Sequence, residues 1–175
     1  LTIAHEVQFM SDGGDTAIDE SFLTISGGFG KVMLGRDDGV GDNYGIAAVD
    51  LIAEETGTTA TSATIATNSD IDGMSGNADK IAYHLPAMGG LTLGASFADS
   101  GTNTGTDTTA YGFRYTTEAG GSSITIGGAT ASTEVSGAAD KDSQNLGVKI
   151  VAGNLSFSMS QATEEAADEN QEMMG

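Results

Sequence analysis

The sequence predicts an all-β fold, an antiparallel transmembrane β-barrel, and two patterns support this prediction. Apolar residues alternate with small or polar residues along nine segments, which is the period of a β-strand. These segments are joined in strict alternation by short glycine-bearing turns and long polar loops. Tight turns at one end of a meander and long polar loops at the other are typical of barrels that span an outer membrane.

The strands are recognised by alternation alone, and no segment has a convincing amphipathic helical period. In the first strand, Val7 and Phe9 share one face, whereas Glu6 and Gln8 share the other, polar face. The predicted strands lie at 1–10, 21–26, around 32–34, 80–85, 91–98, 111–116, around 124–126, 146–150 and 155–160.

The connections carry the second pattern. Glycine in the short turns supplies the positive φ that tight hairpins need. The short turns lie at 27–30, 88–90, 119–121 and 153–154. The long loops, which hold nearly all the acidic residues, are predicted at 11–20, 37–78, 99–108, 131–143 and 162–175.

The alternation leaves two environments open for the apolar face. In a soluble protein that face is the core, and the polar face meets water. In a membrane barrel the apolar face meets lipid, and the polar face lines a wet lumen. Both arrangements give the same period, so the sorting of loops by length is what favours the barrel.

The composition restricts the partners and the chemistry. The chain of 175 residues has 25 acidic and six basic residues, and its net charge of −19 argues against nucleic acid as a partner. The absence of cysteine excludes a disulfide framework and thiolate sites. The chain opens within a strand pattern without methionine and stops at "ENQEMMG", so we expect an internal piece of a larger barrel.

The few basic residues follow the polar face of the predicted strands. Four of the six share its parity, namely Lys31, Lys80, Arg114 and Lys149. Acidic residues concentrate in the segment 37–78, which has no basic residue. Such bases can simply solubilise an exposed face or protect a sheet edge. They can also form a basic wall opposite an acidic loop, an arrangement by which a narrow aqueous pore selects ions.

Four stretches resemble, in chain order, consecutive parts of one known family. "LTIAHEVQF" is similar to a strand that carries an inward glutamate, and "ESFLTISGGFGKVMLGRDDGVGDNYG" resembles the hairpin before a constriction loop. "DKIAYHLPAMGGLTLGASFAD" resembles the hairpin after that loop, and "NLGVKIVAGNLSFSMS" a later one. Together they resemble the general porins of Gram-negative bacteria, and the alphaproteobacterial members most. The resemblance implies about nine strands of a 16-stranded barrel, with 1–175 as one partial domain.

The resemblance also implies what the barrel does. It implies a homotrimer in the outer membrane, in contact with lipid and lipopolysaccharide, and passive diffusion of small hydrophilic solutes and ions without a cofactor or a chemical step. The constriction loop falls on 37–78. Strand parity and the resemblance together give the expected pore-lining residues: basic or histidine at Lys31, Arg36, Lys80, His84, Arg114 and Lys149, and acidic or polar at Glu6, Gln8, Asp50, Glu54 and Glu55.

Arg36 is the one position where the resemblance and the alternation disagree. The resemblance puts it in the pore, whereas strict alternation from Leu34 sends it to the lipid side. Gly35 lies between them, where a bulge could reverse the direction of the next side chain.

Two other interpretations were weighed against the porin. A phosphate-binding loop at 27–36 lacks the Walker spacing and a following helix. A secreted or cell-surface β-protein with calcium-bound loops is the main alternative, since Asp70 and Asp72 alternate as in a calcium loop but lack the rest of that motif. A requirement for detergent favours the porin, and calcium-dependent folding without detergent favours the alternative.

Overall fold

The computed structural model describes residues 1–12, 15–46, 78–99, 106–135, 137, 139–166 and 169–174. In this part of the chain, ten strands form one sheet, and a single helical turn lies at the start of the long connection between the third and fourth strands. The strands are β1 Thr2–Asp12, β2 Asp15–Gly27, β3 Gly30–Asp37, β4 Ala78–His84, β5 Leu91–Ala98, β6 Thr106–Ala119, β7 Ser122–Val135, β8 Lys141–Ala152, β9 Leu155–Ala166 and β10 Glu169–Met174. The helix α1 is Val40–Tyr44.

The sheet is an antiparallel meander in which each strand pairs with the next one along the chain. All nine predicted strands are present, as β1 to β9. Within the described ranges β1 and β10 are the two edges, so this sheet is open rather than closed on itself. The predicted short turns at 27–30, 88–90, 119–121 and 153–154 are confirmed. Gly120 and Gly121 have φ of 61° and 82°, the positive values that the turn between β6 and β7 requires.

The other end of the sheet differs from the prediction. The segments 11–20, 131–143 and 162–175 were predicted as long loops, but strands run through most of each of them. β1 and β2 pair as far as Asp12 and Asp15, and β10 is a tenth strand within 162–175. These strand ends are rich in acidic and hydroxyl side chains, so hydrophobic alternation does not identify them as strands. Backbone pairing continues through them, and Lys141 Nζ on β8 lies 3.9 Å from Glu164 Oε1 on β9.

The two faces of the sheet are chemically opposite. We call the face that α1 covers the inner face and the other the outer face. Leu34, Ile81 and Phe97 lie side by side on the outer face, because they are successive partners across β3, β4 and β5. Large exposed apolar side chains of this face are Ile3, Val7, Phe9, Leu34, Ile81, Tyr83, Phe97, Tyr111, Tyr115, Ile126, Leu146, Phe157 and Met159. An apolar outer face of this kind suits lipid rather than water.

Candidate functional site

The inner face carries a short piece of chain that we call the docked segment, residues 39–46. Its helix α1 packs on β5, β6 and β7. Val40, Tyr44 and Ile46 are 1%, 5% and 4% exposed, so the apolar side chains of the segment are buried against the sheet. The segment therefore lies on the inner face itself, at the start of the connection between β3 and β4.

The docked segment forms one helical turn that glycines begin and end. The backbone N–H groups of Asn43 and Gly45 donate to the carbonyls of Gly39 and Gly41, at 3.3 and 2.7 Å. The Asn43 side-chain amide also donates to the Gly39 carbonyl, at 3.1 Å. One turn is too short to be stable alone, so its packing on the sheet has to stabilise it.

Four glycines on the inner face form the surface beneath this segment, which we call the glycine floor. Gly94 and Gly112 are direct partners across β5 and β6, and Gly127 and Gly147 are direct partners across β7 and β8. A Cβ atom on Gly112 would lie 2.7 Å from the Tyr44 Cβ atom, and one on Gly147 would lie 2.7 Å from the Ile46 Cβ atom. Any larger residue there would collide with the segment.

Hydrogen bonds from three strands hold the segment on this floor. On β4, His84 Nδ1 lies 2.7 Å from Tyr44 Oη, and the two rings are stacked with centroids 5.6 Å apart. On β6, Arg114 Nη2 donates to the Gly45 carbonyl at 2.8 Å. On β8, the Asn145 side chain accepts from the Ile46 N–H at 3.1 Å and donates to the Ile46 carbonyl at 3.4 Å.

The register places the predicted basic residues of the strands on the inner face. Lys31 is paired with His84, Lys80 with Gly35, Arg114 with Gly127, and Lys149 with Thr125. They differ in what they contact. Arg114 and His84 form hydrogen bonds with the docked segment. Lys149 lies two residues beyond Gly147 on β8, closer to the short turns of the sheet.

Arg36 does not join these residues. β3 continues through Gly35 without a register shift, and Arg36 is paired with Ser21 on one side and Asp79 on the other. This places it on the outer face with Leu34, and its side chain is exposed. The inward placement implied by the resemblance is therefore corrected, because no bulge reverses the alternation.

The acidic and polar predictions fall into two groups. Glu6 and Gln8 lie on the inner face of β1, opposite Phe22 and Glu20, and Gln8 Nε2 donates to Glu6 Oε1 at 3.4 Å. Among the described residues, no group of three or more His, Cys, Asp or Glu side chains could hold a metal ion. The remaining predicted acids lie outside the described residues, namely Asp50, Glu54, Glu55, Asp70 and Asp72.

The docked segment and its floor were not predicted from the sequence. A signal for the floor was present, because Gly94, Gly112 and Gly147 alternate with apolar residues at polar-face positions. Glycine inside a strand often marks the close approach of another backbone. Tyr44 and Asn145 gave no signal in the sequence, because their roles depend on contacts between distant positions. Asn145 binds Ile46, which lies 99 residues away, and Tyr44 contacts His84, which lies 40 residues away.

The fold and its two faces define a class of protein, the outer-membrane β-barrels. In the described part of the chain, no helix is long and apolar enough to cross a membrane. The family model of the Gram-negative porins matches residues 3–175, and the chain belongs to this family. It lies in the outer membrane, which decides against the alternative of a secreted β-protein.

Two solved structures have a similar fold. One is OmpT of Vibrio cholerae, an outer membrane protein folded in vitro and described in its trimer form, with 15% identity and a TM-score of 0.52 over 97% of this chain and 67% of that one. The other is its mutant with loop L8 deleted, with 15% identity and a TM-score of 0.51 over 97% and 70%. No curated protein sequence is matched.

Burial of the docked segment has a consequence for Tyr44 that titration can measure. Desolvation raises the pKa of Tyr44 above its ordinary value of 10.0, and nearby Arg114 only partly opposes this. We expect ultraviolet titration of the wild type minus the Tyr44→Phe variant to give a phenolate transition above pH 10. A difference transition at or below that pH would mean that Tyr44 is not buried on the floor.

The sign of the effect follows from this shift. Because the folded protein holds the Tyr44 proton more tightly than the unfolded chain does, the favourable contribution of the neutral side chain is complete below the unfolded pKa. It is lost as the pH rises through the folded pKa. The docked segment is therefore expected to loosen only in strong alkali.

Proposed function

We propose that the protein forms a water-filled channel through which small hydrophilic solutes and ions diffuse passively. The observation that carries this proposal is the inner face, where basic residues of four strands share one side of the sheet with a docked segment. An apolar outer face beside a polar, charged inner face is the arrangement of a barrel that holds water inside lipid. The channel needs no cofactor and no chemical step.

The connection between β3 and β4 is proposed as the constriction loop of this channel. Its first residues, Gly39 to Ile46, lie on the inner face, so the chain enters the long connection from inside the barrel. The connection holds acidic residues and no basic one, and Lys31, Lys80 and Lys149 lie on the wall. A field between an acidic loop and a basic wall would sort ions by charge.

The balance of charge favours cations. With a net charge of −19, the chain offers far more carboxylates than bases. Two of the inner-face side chains, His84 and Arg114, also donate to or lie against the docked segment instead of reaching open space. A homotrimer is proposed as the assembly, since a solved structure with a similar fold is described as a trimer.

Planar-bilayer recording of the full-length protein tests this function directly. We expect discrete conductance steps that arrive in groups of three, and a reversal potential in a salt gradient that indicates cation preference. Absence of steps from protein that is folded, as judged by heat-modifiable migration on gels, would contradict the channel.

The face on which each basic residue lies generates a matched pair of variants. Lys149→Gln removes a positive charge from the inner face and is expected to raise the cation-to-anion permeability ratio by about fivefold. One charge about 8 Å from a passing ion is worth roughly 0.5 kcal/mol in water, with opposite signs for the cation and the anion. Arg36→Gln removes the same charge from the outer face and should leave the ratio unchanged. The measurement is the reversal potential.

Either of two results would contradict this assignment of faces. Equal shifts in the two variants would mean that only the total charge of the protein matters. A shift in Arg36→Gln alone would mean that β3 is reversed relative to the lumen.

The acidic residues of the proposed constriction loop are tested separately. Replacing Glu54 and Glu55 with glutamine is expected to lower the cation preference, because both carboxylates would face the passing ions. An unchanged reversal potential would refute their place at the constriction without affecting the channel itself.

A further inference from the structure

We propose that the glycine floor is a positioning device that sets the width of the channel, by determining how close the docked segment lies to the wall. This inference rests on the proposed function, since it assigns to four glycines and three hydrogen-bonding side chains the control of the proposed constriction. The floor is made of Gly94, Gly112, Gly127 and Gly147.

Backbone conformation does not explain glycine at these four positions. Turn glycines such as Gly120 and Gly153 have positive φ, which other residues rarely adopt. None of the four floor glycines is among the glycines with positive φ. Another residue would fit their backbone, and glycine weakens a strand because it loses more conformational freedom on folding. The explanation that remains is steric.

Atoms of the docked segment fill the space where a side chain would lie at each floor glycine. A Cβ atom on Gly94 would lie 2.8 Å from Tyr44 Oη, and one on Gly127 would lie 3.1 Å from Ile46 Cγ1. Contacts under 3.0 Å force a shift. The Tyr44 ring and the Ile46 side chain thus occupy the space that side chains of β5 to β8 would otherwise fill, and the segment lies directly on the backbone of the sheet.

The small residues continue beneath the rest of the segment. Val40 and Tyr44 form a buried cluster with Ala110, Ala129 and Ala131, whose methyl groups face the same side. Glycine therefore lies under Tyr44 and Ile46, and alanine continues the surface of small residues around Val40 and Tyr44.

The glycine floor determines how close the docked segment lies to the sheet, and the hydrogen bonds determine its orientation along the sheet. His84, Arg114 and Asn145 come from β4, β6 and β8, so they hold the segment across five neighbouring strands. His84 Nε2 and Arg114 Nε are buried without a hydrogen-bond partner. The atoms of these two side chains that do contact the segment, His84 Nδ1 and Arg114 Nη2, are therefore the ones that hold it in place.

The distance between the docked segment and the sheet affects the open cross-section of the proposed channel. The docked segment lies on the inner face, between the sheet and the lumen, so lifting it off the floor moves it toward the lumen axis. Adding one methyl group to the floor should narrow the channel, and adding more should narrow it further.

The test is single-channel conductance of full-length floor variants in planar bilayers. We expect Gly112→Ala to lower the unit conductance and Gly147→Val to lower it more, because the valine collides with the Ile46 Cβ atom and its neighbours. The matched control is Gly28→Ala, since Gly28 has nothing within 4 Å of its Cβ position. It should conduct as the wild type does.

A second variant guards against failure of the glycine variants to fold. Tyr44→Phe keeps the ring on the floor but removes the contact with His84 Nδ1. Its unit conductance should stay close to that of the wild type, while the open-channel current becomes noisier because the segment is less firmly held.

The outcomes separate this inference from the proposed function. Channels of unchanged conductance in both glycine variants, with a quiet current in Tyr44→Phe, would overturn the positioning device and leave the channel intact. Absence of channels in the folded wild type would overturn the channel, and the device with it.

Discussion

The arrangement of the inner face depends on one contact, in which the docked segment packs directly on strand backbone at four glycines that have no side chain. A β-sheet in a barrel has its backbone groups paired within the ladder, so a second chain can approach it only through side-chain contacts or where side chains are absent. Four glycines in a strand interior cost about 2–4 kcal/mol relative to alanine. Burying Val40 and Ile46 contributes about 3–6 kcal/mol, which offsets that cost.

The same constraint explains why the buried residues are small. Among the described residues, buried apolar side chains of the strands are Met33 and alanines, whereas Phe97, Tyr111 and Phe157 are exposed. The described strands therefore bury little apolar surface of their own. We expect their stability to come from the backbone pairing of neighbouring strands and from lipid against the outer face, as in a membrane barrel.

The sequence predicted the strands well where one face is apolar and poorly where neither is. Alternation identified β1 to β9, and glycine identified the turns. The prediction missed β10 and the ends, remote from the short turns, of β1, β2, β6, β7, β8 and β9, because a strand that is polar on both faces carries no periodic signal. The predicted constriction acids Asp50, Glu54 and Glu55 lie outside the described residues and stay a prediction.

Strand parity also predicted faces better than it predicted roles. It correctly grouped Lys31, Lys80, Arg114 and Lys149, and it was a better guide to Arg36 than the family resemblance was. Parity could not distinguish Arg114, which binds the docked segment, from Lys149, which lies two residues beyond the floor glycine Gly147. That difference arises only from the position of the docked segment on the sheet. A face is a property of one strand and its backbone. A role on the inner face depends on the contact between a strand and the docked segment, whose Gly45 lies 69 residues before Arg114 in the chain. The local sequence pattern therefore predicts the face on which a residue lies, but it does not predict the contact that the residue makes there.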